Sequence, residues 1–196
     1  MHATCRPVSL LAAILCATSL HAQDACGIID LGPPGSAVFA QGAGELNRIG
    51  LSVTAQDASG APSACPVPGG QLWAQLAPVP GIPVWTDDTC LGQTAVLFLS
   101  PSPADLPFAS GGLAGKLWLA PPFDALSTIS GLPLACWVPI PPQPAFAWEI
   151  DIPADPALAG ATVVLQGASV ATIFDDTALL TEQVRLSHGV IATLGS

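Results

Sequence analysis

Phe146-Ala147-Trp148-Glu149-Ile150-Asp151-Ile152 carries the clearest pattern in the chain, with apolar side chains at 146, 148, 150 and 152 and small or acidic ones between them. Successive side chains of a β-strand point to opposite faces, so a period of two lays one apolar face over a core and turns one acidic face to water. A helix would scatter the same residues around its circumference. These seven residues therefore read as a half-buried strand.

Working outward, the same alternation recurs in Ile49–Gln56 and in Gln71–Leu76. Thr94–Ser100 is a continuous apolar run of strand length, which implies burial on both faces. Lys116–Ala120, Thr162–Ile173 and Gln183–Leu194 complete the β-capable set, the last supplying one or two strands. Turn chemistry separates them: Asp57–Ser63, Pro78 and Pro80, Pro121-Pro122, and Asp155–Gly160. Asp24–Gly44 reads as irregular, with a short strand near Ala37–Gln41, and Phe123–Ile129 as a helical turn. The 21 prolines and 19 glycines shorten every element and disfavour long helices. The expectation is an all-β fold, an antiparallel β-sandwich or jelly-roll-like arrangement of short strands with little helix. One domain over residues 23–196 is expected, the alternative being a two-lobe split near 100–107, where prolines are densest.

Residues 1–22 read as a signal peptide. Arg6 precedes an apolar run from Val8 to Leu20, and Ala22 precedes a polar residue at the expected cut. The run is too short to span a bilayer comfortably. The chain is therefore expected to be secreted or held at the cell surface, without a transmembrane segment. After residue 22 only Arg48, Lys116 and Arg185 balance 14 acidic residues. So acidic a chain is a poor match for nucleic acid, whose binding rests on cations that displace counterions. It is equally poor for anionic lipid. Partners fall instead among glycans or envelope proteins.

Four cysteines remain after residue 22: Cys26, Cys65, Cys90 and Cys136. An even number in an exported chain reads as two disulfides. Sequential pairing, Cys26 with Cys65 and Cys90 with Cys136, is preferred among three connectivities. A zinc site fails because no two cysteines lie within a few residues of each other.

Four sets of residues invite chemistry. His188 is the sole histidine after residue 22, and a hydrolase built on it would need an activated serine, yet the chain has no Gly-x-Ser-x-Gly elbow. Glu149 and Asp151 share a strand face about 7 Å apart, a spacing that resembles a glycosidase acid and base. Asp-Asp-Thr occurs twice, and Asp87, Asp88, Asp175 and Asp176 are the candidate ligands for Ca²⁺. Trp73 and Trp118 sit mid-strand and, if side by side on an exposed face, would form a stacking platform for sugar rings.

The stretch Trp148–Gly160, then Gln166, then Leu186-Ser187-His188-Gly189 resembles the C-terminal segment of a large group of uncharacterised exported bacterial proteins, abundant in planctomycetes. Their pattern is an Ile-Pro-Asn-Asp-Pro-x-Leu-x-Gly turn, an aromatic-containing strand ending in Gln, then Leu-Ser-Asn-Gly and a final strand. This chain departs from it at Val163–Leu165, where the group has aromatics, and at His188, where it has Asn before a turn glycine. The resemblance implies a β-rich extracellular module and no particular chemistry. The sequence as a whole points to a non-enzymatic structural or interaction module, with carbohydrate binding as the alternative and a carboxylate hydrolase behind it.

Overall fold

A computed structural model describes residues 26–32, 49–78, 89–110, 113–131, 146–174 and 180–196. The signal-peptide reading, the Ala37–Gln41 strand and the cut after Ala22 lie outside these residues. The described part is built of antiparallel strands and one 3-10 turn. The strands are β1 (Gly27–Leu31), β2 (Ile49–Gln56), β3 (Pro62–Ser63), β4 (Gln71–Pro78), β5 (Thr89–Ser100), β6 (Pro103–Ser110), β7 (Leu113–Leu119), β8 (Asp124–Gly131), β9 (Phe146–Asp151), β10 (Thr162–Phe174) and β11 (Leu180–Thr193).

They form three layers. A five-stranded sheet runs β1-β11-β10-β5-β8 and a four-stranded sheet β3-β2-β4-β9, while β6 and β7 pair as a separate hairpin. Between the two larger sheets lies the main core. Ile49, Leu51, Leu72, Leu76, Phe146 and Trp148 on the four-stranded side meet Leu97, Leu99, Leu165, Val190 and Leu194 on the other. The hairpin covers the opposite face of the five-stranded sheet, where Ala168 and Leu186 pack with Phe98 and Leu117. This explains the unbroken apolar run in β5. Its alternate residues Ala95, Leu97 and Leu99 enter the main core, and Phe98 turns to the second layer. The expected antiparallel sandwich is present, with a hairpin added to its back.

Two local expectations are corrected. Residues 124–131 form strand β8 rather than a helical turn, because their backbone pairs along β5. Within the stretch read as irregular, Gly27–Leu31 is a strand, paired with β11 from the far end of the chain. The proline-rich stretch after Ser100 is β6, which accepts Pro103 and Pro107 because its only described partner is β7.

The Asp155–Gly160 turn shows how its residues were chosen. Asp155 caps the 3-10 turn Pro156–Leu158, its carboxylate accepting from the Ala157 N–H at 2.9 Å, and proline occupies the first turn. Leu158 plugs the core. Gly160 takes φ +78°, a conformation costly for any residue with a Cβ, and donates to the Leu194 carbonyl at 2.8 Å. A similar local device holds the β2–β3 turn. Asp57 accepts from the Ser59 hydroxyl and from the Ser59 and Ala61 N–H groups. The Ser59 hydroxyl first, then the Ala61 and Ser59 backbone, hold its carboxyl below the ordinary 3.8.

Cys26 and Cys65 are bridged, with Cα atoms 5.3 Å apart. The bridge joins the start of β1 to the loop before β4, and so ties the two sheets. Gly195 lies against it and donates to the Pro66 carbonyl at 2.7 Å. Of the second expected pair, Cys136 is outside the described residues.

Candidate functional site

Gln166 and Leu186–Gly189, two of the three stretches that carry the resemblance, meet at one irregularity. Along the β10–β11 ladder the register passes from Gln166↔Gly189 to Ala168↔Leu186, so Ser187 and His188 face the single residue Gly167. This is a β-bulge, and it re-phases β11. Leu186 and Gly189 are three apart and would fall on opposite faces of a regular strand. Here Leu186 packs under the hairpin and Gly189 lies beneath Trp118 of that same hairpin.

A bulge costs ladder hydrogen bonds, and two side chains replace them. The Ser187 hydroxyl accepts from the Gly167 N–H at 2.8 Å and donates to the His188 carbonyl at 2.7 Å. Gln166, fully buried, donates from Nε2 to the carbonyls of Ser187 at 2.9 Å and Lys116 at 3.0 Å, and its Oε1 accepts from the Trp118 N–H at 3.0 Å. The Lys116 C=O and the Trp118 N–H flank Leu117 on one edge of β7. The Gln166 amide thus stands in for a neighbouring strand and stitches the hairpin to the sheet. Lys116 in turn pairs with Asp105 of β6 at 2.9 Å and lies 4.9 Å from the centre of the Trp118 ring. Exposed pairs of this kind contribute little individually.

Gly189 is required here by proximity, since a Cβ would fall 2.4 Å from the Trp118 Cβ. His188-Gly189 reads in sequence as a turn or bulge, and the structure has the bulge, within a strand. Gly189→Ala is expected to cost about 1–3 kcal/mol through overpacking. Gly167→Ala should cost less, because the Cβ there meets the movable end of Leu76 at 2.6 Å. Paired urea melts check the order.

His188 is buried, with Nε2 3.4 Å from an Asp30 carboxylate oxygen on β1. The neighbouring Ser187 hydroxyl is already committed to the bulge. Arg185, also fully buried, pairs in register with Ser169. Burial pushes its guanidinium down to about 10, which still leaves it charged at neutral pH.

The other sequence candidates separate. Trp118 faces the five-stranded sheet from the hairpin side, whereas Trp73 lies in β4 of the four-stranded sheet. They belong to layers on opposite sides of the five-stranded sheet, so the side-by-side arrangement is corrected. Trp148 is buried in the main core. Asp87, Asp88, Asp175 and Asp176 lie outside the described residues. Among the described residues no three His, Cys, Asp or Glu side chains gather to hold a metal ion.

What the fold does unite is Trp73 with the paired carboxylates. β4 sends Leu72, Ala74 and Leu76 into the core, and β9 sends Phe146 and Trp148. Gln71, Trp73 and Gln75 therefore face outward beside Glu149 and Asp151. Trp73 is in register with Glu149 on one side and Thr54 on the other. Gln71 donates to the Asp151 carboxylate at 2.7 Å. Glu149, Asp151, Thr54 and Gln75 are exposed and Trp73 is half-buried. Sequence alternation alone put Gln71, Trp73 and Gln75 on one face, but the choice of β9 as neighbour is a matter of long-range pairing and left no local signal.

No protein-family model and no curated protein matches the chain. Among solved structures, one described as "pT26-6p" aligns with 71% of this chain and 22% of its own length, at 11% identity and a TM-score of 0.32. The chain thus spans about a fifth of that protein, and so low a score carries no argument about fold or function. No helix among the described residues is long and apolar enough to cross a membrane.

Proposed function

We propose that the chain is an exported, disulfide-bearing interaction module of the cell envelope or its surroundings, working by binding rather than by catalysis. One observation carries this reading: among the described residues, the side chains with chemical potential are spent on structure or left open to water. Gln166 and Ser187 satisfy a bulge, and His188 is enclosed beside Asp30. Glu149 and Asp151 stand exposed on a sheet face, with Asp151 bonded to Gln71. A glycosidase acid sits enclosed in a pocket, whereas both of these residues are exposed. The resemblance of residues 148–189 to exported bacterial proteins, and the Cys26–Cys65 bridge, support an extracytoplasmic setting.

The test is a turnover screen of the oxidised chain against chromogenic glycosides, esters and peptides. Rates at background are expected throughout. Turnover that Glu149→Gln or Asp151→Asn abolishes would overturn the proposal.

A further inference from the structure

We infer that the outward face of the four-stranded sheet binds a neutral polysaccharide, with Trp73 as the stacking ring and Gln71, Gln75, Glu149 and Asp151 as partners for its hydroxyl groups. This deepens the binding role proposed above and rests on it.

Trp73 is out of place for a solvent-facing strand position. The core-facing residues of β2, β4 and β9 are apolar, and the outward ones are small or polar: Ser52 and Thr54 on β2, Gln71 and Gln75 on β4, Glu149 and Asp151 on β9. Trp73 is the one large apolar side chain among the described outward positions of these strands. Its partners in register, Thr54 and Glu149, are both exposed, while the indole itself is half-buried with its Nε1 enclosed. A β-branched residue would serve the strand as well at less apolar exposure. The part of the indole left exposed between these polar neighbours offers an apolar surface flanked by hydrogen-bonding groups. Sugar rings present the complementary pattern, apolar C–H faces edged by hydroxyls.

Charge decides among polymers. Two carboxylates and no Lys or Arg lie on these outward positions, and the chain carries a formal net charge of −10. Nucleic acids, uronates and sulfated glycans would be repelled. A protein partner is a weaker match, because interfaces centre on a contiguous apolar patch and this face offers one ring. Carboxylates and primary amides suit neutral hydroxyls, the former accepting and the latter both accepting and donating. From Gln71 to Gln75 the row runs about 14 Å along β4, long enough for a short stretch of polysaccharide.

The experiment is native affinity electrophoresis of the full oxidised chain. The gels contain hydroxyethylcellulose, xylan, galactomannan, β-1,3-glucan or soluble starch, with polygalacturonate as the anionic comparison. At least one neutral glycan should retard the protein and polygalacturonate should not. Trp73→Ala should remove at least tenfold of the affinity, and Trp73→Phe should retain part of it. Thr54→Arg guards against misfolding of the alanine variant: it leaves the core untouched, covers the ring from an exposed position, and should also abolish retardation. Absence of retardation in every neutral gel overturns the inference, as does retardation that survives in folded Trp73→Ala or in Thr54→Arg. Equal retardation by polygalacturonate overturns it too. Reducing ends are measured in parallel. Their release would sink the non-catalytic reading while leaving binding intact. No retardation and no release would sink the glycan and leave the module.

Discussion

Replacing Gln166 with leucine is expected to lower the stability of the chain by about 3–5 kcal/mol. The substitution keeps the bulk and removes the amide. Three backbone groups then lose their partner at once: the Trp118 N–H, the Lys116 carbonyl and the Ser187 carbonyl. Each buried unsatisfied group costs about 1–3 kcal/mol. Part of this is recovered if the hairpin lifts and admits water, so the total falls short of a simple sum. Gln166→Glu keeps the acceptor for the Trp118 N–H but turns both donors into acceptors beside carbonyls, and it should be at least as damaging. Equilibrium urea unfolding reads both. A second readout follows from the geometry: Lys116 and Trp118 lie in β7, so loss of Gln166 should loosen the β6–β7 hairpin first and raise its amide exchange before global unfolding. A change below about 1 kcal/mol for Gln166→Leu would mean that the hairpin is held by its apolar contacts alone.

Removing the Cys26–Cys65 bridge with paired serines should cost about 4 kcal/mol. The bond spans 39 residues of sequence. Cross-linking a loop of that length removes roughly 4 kcal/mol of chain entropy from the unfolded state. The native state loses a contact as well, since Gly195 packs on the bridge and its N–H reaches the Pro66 carbonyl. The effect should therefore concentrate where β1, the end of β11 and the 65–66 loop meet. Thermal melts of the serine pair against the oxidised chain measure it, and unchanged melting would show that β1 is held by its ladder with β11 alone.

How legible this was in the sequence depended on the range of the interactions. The strand at Phe146–Asp151 was plain because its alternation records a single fact, that one face is buried, and the burial follows it residue by residue. The same holds for β2 and for the fully covered β5. Sequential pairing of Cys26 with Cys65 was also legible. β1 was not, because five residues with a glycine start become a strand only beside β11, at the other end of the chain. β8 was missed for a like reason, its backbone being fixed by β5 rather than by its own apolar period. The pattern Gln…Leu-Ser-x-Gly was visible as a motif, but its meaning was not. A bulge, a side chain acting as a strand neighbour and a glycine beneath a tryptophan are relations between β7, β10 and β11. In the outward face, sequence supplied Trp73 and the pair Glu149 and Asp151 separately, and only the register of β4 with β9 joined them. Trp118 lies within a strand as its pattern indicates, but a place in a strand says nothing about which layer that strand enters.

The central claim is a division of labour: the buried polar residues around the β10–β11 bulge hold the layers, and the outward face of the four-stranded sheet is free to bind. The melting temperatures of Gln166→Leu and Trp73→Ala, taken side by side in the oxidised chain, test it most directly. Gln166→Leu should melt about 6–20 °C below the parent, and Trp73→Ala within about 4 °C of it, given about 2–4 °C per kcal/mol for a domain near this size. The reverse order, with Trp73→Ala the more damaging, would make Trp73 a structural residue and contradict the claim.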